Sequence, residues 1–142
     1  MERKTVFLDT NIIMDVLCHR NGCAEAATVL NMAIDGNISL YCSSLTVANC
    51  IYNCRKILGK ETAFLLLKKL FAYIQISPMG QSEVDSAFNA ANPDYEDSLQ
   101  YFSALAVDAD IILTRNEKHF RFSKVPVMDC ASFLEQVNPY LG

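Results

Sequence analysis

No apolar run in this chain reaches the roughly 18 residues that a helix needs to cross a bilayer. The opening Met1-Glu2-Arg3-Lys4 leads straight into a β-rich segment, without the layout of a signal peptide, so the sequence reads as cytoplasmic. There is no Gly/Ser/Pro-rich linker, low-complexity stretch or internal repeat, which points to a single domain over residues 1–142. Six cysteines are present, Cys18, Cys23, Cys42, Cys50, Cys54 and Cys130, but none forms a Cys-x-x-Cys pair, which counts against structural zinc. Cys50 and Cys54 are one helical turn apart, a spacing also open to two metal ligands. Apolar neighbours such as Val16-Leu17 and Leu40-Tyr41 favour ordinary buried thiols in a reducing compartment. An excess of basic charge is missing too: the net charge is −4, which argues against holding nucleic acid by bulk electrostatics. It leaves open a nuclease, whose cation-holding carboxylates themselves add negative charge.

What is present describes a globular protein. Hydrophobic residues make up 51% and charged residues 20% of 142 residues, enough to bury a core. Short β-rich runs alternate with helical patterns. Thr5–Leu8 reads as a strand, Asp9-Thr10-Asn11 as a helix start, Ala24–Ile34 as a helix, and Ile38–Cys42 as a second strand. Ser43-Ser44 offers a cap for a helix through Leu58, closed by Gly59; another helix spans about Glu61 to Ala72. Strands are expected at Tyr73–Ile76, Asp110–Leu113 and Val125–Val127, and helices at Gln81–Ala91 and Ala131–Val137. Asn92-Pro93 reads as a cap with proline at the first helical position, opening a helix to about Val107. The alternation implies an α/β three-layer sandwich, a parallel sheet of about four to five strands flanked by helices.

In open α/β sheets, functional groups gather beyond the carboxyl ends of the strands. Asp9, Thr10 and Asn11 follow the first strand, and Thr114, Arg115 and Asn116 follow Asp110–Leu113. The helix near Pro93 begins Asp94-Tyr95-Glu96-Asp97, with Asp94 and Asp97 three apart on one face. Adjacent carboxylates repel unless a cation or proton lies between them. With Asp9 added, three carboxylates are placed to surround a hard divalent ion, Mg²⁺ or Mn²⁺. Each element also has an ordinary structural explanation. Acids in a first helical turn stabilise the helix dipole, Asp9 suits an N-cap, and Thr114-Arg115-Asn116 suits a turn. The coincidence at one sheet edge is what favours a site.

These residues resemble a known family. Val6-Phe7-Leu8-Asp9-Thr10-Asn11-Ile12-Ile13-Met14-Asp15-Val16-Leu17 resembles the opening of PIN-domain proteins, in which a strand delivers an aspartate followed by a hydroxyl residue and often asparagine. Asp94-Tyr95-Glu96-Asp97-Ser98-Leu99-Gln100 resembles the acidic helix start of one bacterial branch. Ile111–Phe120 resembles its late strand and loop, and Val125–Leu134 its usual ending. The resemblance implies a metal-dependent ribonuclease, often the toxin of a bacterial toxin–antitoxin pair (the VapC type), and a parallel sheet flanked by helices. It also implies an RNA substrate, Mg²⁺ or Mn²⁺ as cofactor, a small antitoxin as partner, and a homodimer.

Carried over by position, Asp9 and Asp97 match catalytic aspartates and Asp94 a neighbouring acid, with Asn116 beside them as a metal ligand. Asn11, Asn49, Thr114, Arg115 and Lys118 are the candidates for contacting substrate, and His119 is placed with Arg115 and Lys118 to meet RNA phosphates, for which a solvated surface turn is the simpler account. The chain departs from the family pattern twice. Asn49 stands where a glutamate is expected, and Asn116 where aspartate is frequent. Both changes keep a carbonyl oxygen and remove a charge, so metal affinity is expected to fall. Arg55-Lys56, Lys60 and Lys68-Lys69 suggest a basic rim, for which ordinary surface lysines are the simpler account. Haloacid-dehalogenase-type phosphatases require Asp-x-Asp where this chain has Asn11, and a receiver domain requires an acidic pair on strand one. The remaining rival is a catalytically degraded PIN-like module that binds RNA or a protein.

Overall fold

The computed structural model describes residues 3–137. In chain order its elements are β1 (Lys4–Leu8), α1 (Thr10–Leu17), α2 (Cys23–Ile34), β2 (Ile38–Ser43), α3 (Ser44–Leu58), α4 (Lys60–Leu70), β3 (Ile74–Ser77), α5 (Gln81–Ala90) and α6 (Tyr95–Ala106). There follow β4 (Ile111–Leu113), a 3₁₀ turn at Glu117–Phe120, β5 (Val127–Met128) and α7 (Cys130–Val137). The five strands form one sheet in the order β3-β2-β1-β4-β5, and every pairing is parallel. This is the expected α/β sandwich.

The alternation of side chains along the strands divides the core in two. Val6 and Leu8 of β1, Leu40 and Cys42 of β2, and Ile111 and Leu113 of β4 face α1, α2, α3, α4 and α7. Phe7, Tyr41 and Ile112 face the other way, onto Tyr101 and Ala104 of α6 and onto Phe120 and Phe122. Covering both faces is what lets β1 and β4 be continuous apolar runs. Cys42, Cys50, Cys54 and Cys130 are buried. Burial pushes the thiols of Cys42, Cys50 and Cys130 up to about 12, which makes them inert fillers of the core.

Local chemistry sets the helix ends. Ser43 Oγ accepts from Thr46 N at 3.2 Å and caps α3, and Gly59, at φ 84°, ends it in a conformation that β-carbons resist. Most boundaries shift by about a residue, and two elements start two residues later than expected. Asn92 Oδ1 accepts from Asp94 N at 3.1 Å, closing an Asx turn around Pro93, so α6 starts at Tyr95 with Asp94 at its N-cap. Ser123 binds both the N–H and the C=O of Val125, holding it in a turn, so β5 begins at Val127.

Candidate active site

β1 is the switch point of the sheet, since the chain builds β2 and β3 on one side of it and β4 and β5 on the other. A crevice opens beyond the strand ends at such a point. Here it is a cavity of about 470 Å³ lined by Asp9, Thr10, Asn11, Asn49, Asn53, Asp94, Glu96, Asp97, Asn116 and His119. Its walls come from the start of α1, from α3, from the start of α6, and from the segment after β4.

Asp9 is the deepest acid. Its backbone is extended, its N–H donates to Leu113 O at 3.0 Å, and its Oδ1 caps α1 by accepting from Thr10 N at 2.9 Å. The other oxygen, Oδ2, accepts from Thr114 Oγ1 at 2.8 Å. The capping role and the site role are therefore compatible, because each carboxylate oxygen keeps a second lone pair. Burial raises the pKa of Asp9 against the lowering effect of these hydrogen bonds. The Asp97 carboxyl is held up to about 6, first by burial, then by the charge of Asp9; His119 opposes this, while Asp94 and Glu96 add to it. His119 Nδ1 lies 3.3 Å from Asp97 Oδ2. One ligand atom from each of Asp94, Asp97 and His119 lies within 4.8 Å of the others.

This donor set fits a hard divalent cation. Four acids converge with one imidazole as their nearby counter-group, and carboxylate and amide oxygens select Mg²⁺ or Mn²⁺ over soft metals. Asp94 makes no side-chain cap bond to α6, so its carboxylate is left to the cavity.

Other candidates are placed as follows. Asn11, Asn49 and Asn116 line the cavity. Asn11 Oδ1 also accepts from Arg20 at 3.4 Å, and the backbone carbonyl of Asn49 accepts from Asn53 Nδ2 at 2.9 Å. Thr114 is wholly buried beneath Asp9, out of reach of a substrate. The chain after β4 alternates sides, so Arg115 points away and pairs with buried Asp15 at 3.0 Å. Lys118 is exposed on the 3₁₀ turn and does not line the cavity. Two contributors, Asn53 and Gln100, escaped the reading of the sequence. Asn53 lies one turn beyond Asn49, a spacing that signals a shared face. His119, which the sequence placed near the pocket as a candidate contact for RNA phosphates, is brought against Asp97 by the 3₁₀ turn. Gln100, beneath the site, reads as an ordinary polar helix position.

A family model for the PIN domain matches residues 5–118, a span that includes Asp9, the acids at the start of α6 and Asn116 after β4. The chain belongs to the PIN-domain family. This PIN domain is 27% identical to ribonuclease VapC1 of Aquifex aeolicus (strain VF5), over 97% of this chain and 99% of that one. Its fold is similar to that of a chain in the structure of VapBC-1 from nontypeable Haemophilus influenzae, with TM-score 0.68, 18% identity, and 89% and 98% of the two chains covered. A toxin–antitoxin complex from Klebsiella pneumoniae matches with TM-score 0.63 and 18% identity, over 88% and 97%. No helix among the described residues is long and apolar enough to cross a membrane.

Proposed function

We propose that this PIN domain is an endoribonuclease that depends on Mg²⁺ or Mn²⁺ and is the toxin of a toxin–antitoxin pair. The observation that carries the reading is the convergence of Asp9, Asp94 and Asp97, with His119, at the β1/β4 switch point. The ribonuclease relative supports RNA as substrate. The VapBC and toxin–antitoxin neighbours support a small antitoxin partner. A homodimer in the cytoplasm completes the proposal.

In this reading Asp9, Asp94 and Asp97 hold the cation, with Asn116 as a neutral ligand. A bound Mg²⁺ or Mn²⁺ supplies a coordinated water of lowered pKa and neutralises charge on the phosphate. Asp9 is fixed by Thr10 N and Thr114 Oγ1, so its free lone pairs have a set direction. His119 holds the Asp97 carboxylate through Oδ2. Asn11, Asn49 and Asn53 offer amide donors to phosphate and ribose oxygens without adding negative charge, which eases approach of a polyanion. Arg115 serves the loop through Asp15, not the substrate.

A second reading, a degraded PIN module that binds RNA or protein, draws on Asn49 and Asn116, two amides in a cavity where relatives are expected to carry acids. Cleavage of a mixed single-stranded RNA pool by purified, antitoxin-free protein with Mn²⁺, Mg²⁺ or EDTA separates the two. The nuclease reading expects metal-dependent cutting that is lost in Asp97→Asn. Absence of cutting at high Mn²⁺ favours the degraded module.

A further inference from the structure

Beneath the cavity lies a buried polar cluster that the nuclease reading does not use. The side chain of Gln100 is 1% exposed and yet polar at both ends of its carboxamide. Ser43 Oγ donates to Gln100 Oε1 at 2.6 Å. Gln100 Nε2 donates to Thr46 Oγ1 at 3.0 Å and reaches Thr10 Oγ1 at 3.5 Å, and the two threonine hydroxyls are 2.9 Å apart. Ser43 and Thr46 are wholly buried as well. A buried polar group without partners costs free energy, so a cluster this complete holds one geometry.

The positions of these partners are the informative part. Thr10 follows Asp9, Thr46 is three residues before Asn49 on α3, and Gln100 is three residues after Asp97 on α6. The cluster thus joins three elements of the site directly behind the residues that line it. The hydrogen inventory also has a direction. Ser43 gives its proton to Gln100, and both carboxamide protons face hydroxyl oxygens. The shortest acceptor for the buried Thr46 hydroxyl is Thr10 Oγ1; its contact with Ser43 Oγ is longer, at 3.4 Å. With Thr46 as the donor to Thr10, the proton of Thr10, which lines the cavity, is the one left to face the site.

We propose that Gln100 is a positioning residue of the site: its carboxamide locks α1, α3 and α6 together behind Asp9, Asn49 and Asp97, and directs the Thr10 hydroxyl into the cavity. The inference rests on the metal-nuclease reading. Partners bonded directly to metal ligands typically change metal affinity or activity 10- to 100-fold when removed. Gln100, bonded to Thr10 beside Asp9 and to Thr46 on the helix of Asn49, is expected at the low end of that range.

The test is a calorimetric titration of purified protein with Mn²⁺, alongside metal-free melting temperatures. Gln100→Met keeps length and removes both ends of the carboxamide. Its Mn²⁺ affinity is expected to fall roughly 10-fold at a temperature where the variant is folded. Thr10→Val should lose most RNA cleavage and Thr10→Ser should keep it. Should Gln100→Met fail to fold, Ser43→Ala takes its place, because it frees the carboxamide to turn and is expected to weaken Mn²⁺ several-fold. A purely structural role would lower the melting temperature and leave the affinity of folded protein unchanged; that result overturns the proposal. Wild-type protein that binds no Mn²⁺ would overturn the metal-nuclease reading and this inference with it. Wild type and variants binding alike would overturn this inference alone.

Discussion

The α3–α4 hairpin and the sheet edge at β1 and β4 each frame an open cavity, but from opposite materials. The hairpin groove is the larger, at about 630 Å³, with a floor of Val47, Ile51, Ala63, Phe64, Leu67 and Phe71 and with Arg55, Lys60 and Lys68 at its rim. The cavity at the sheet edge is smaller, at about 470 Å³, and lined by acids, amides, one hydroxyl and one imidazole. Size alone would select the wrong place to look for hydrolysis. Holding a cation needs acids that converge, and of the two only the smaller cavity has them, because strand ends and a helix start aim them inward; the groove has three basic residues and one acid, Glu61. The groove has apolar walls on two helices and no acid pair to organise an ion.

The largest test of this contrast is Asp97→Asn. Loss of one ligand charge and of the His119 partner is expected to lower RNA cleavage by about 10³-fold or more, measured as single-turnover rates at saturating Mn²⁺. A groove substitution such as Phe64→Ser, made beside it, should leave those rates unchanged.

Next in size is the stabilisation by metal. At about 100 times its dissociation constant, Mn²⁺ should add about 2.7 kcal/mol to the folded state, which is roughly 5–10 °C in melting temperature for a domain of this length. EDTA should reverse the shift, and Asp9→Asn should remove most of it.

The pH dependence of the metal-free protein gives a smaller effect of defined sign. Asp97 ionises at about 6 in the folded chain against an ordinary value of 3.8, chiefly because it is buried near Asp9. The folded chain therefore binds this proton more tightly than the unfolded chain. The resulting stability is fully present below about 3.8 and is lost as pH rises through about 6. In EDTA, Asp97→Asn should melt above wild type by roughly 2–4 °C at pH 7, the shift that about 1 kcal/mol produces in a domain of this size. The difference should shrink towards pH 4. A residue kept at a cost to stability is the mark of a functional position.

The smallest effect belongs to the groove. Phe64 is 65% exposed, so Phe64→Ser is expected to change stability by no more than about 0.5 kcal/mol and to leave the Mn²⁺ melting shift intact. A loss of that shift would erase the distinction between the two cavities.

Much of the site was legible in the sequence because its signals are local. An apolar run ending in Asp9 announces a strand end, and Asp94 and Asp97 announce one helical face. The alternation of strands and helices announces the parallel sheet. What was not legible depends on contacts between distant segments. Arg115 reads as a basic residue next to the site, but the alternation of extended chain turns it towards Asp15, 100 residues away in sequence. His119 reaches Asp97 only because the 3₁₀ turn folds back onto α6. Gln100 meets Ser43 and Thr46 across 57 and 54 residues, and nothing in its own helix separates it from a solvated glutamine. Proline at 93 suggested a helix start that Asn92 pre-empted by closing its own turn.

The central claim, that these acids form a divalent-cation site, is tested most directly by anomalous diffraction from crystals of the protein soaked in Mn²⁺. The account predicts a peak in the β1/β4 cavity at coordination distance, about 2 Å, from carboxylate oxygens of Asp97 and of Asp9 or Asp94. A peak only elsewhere, or none in this cavity at saturating Mn²⁺, would contradict it.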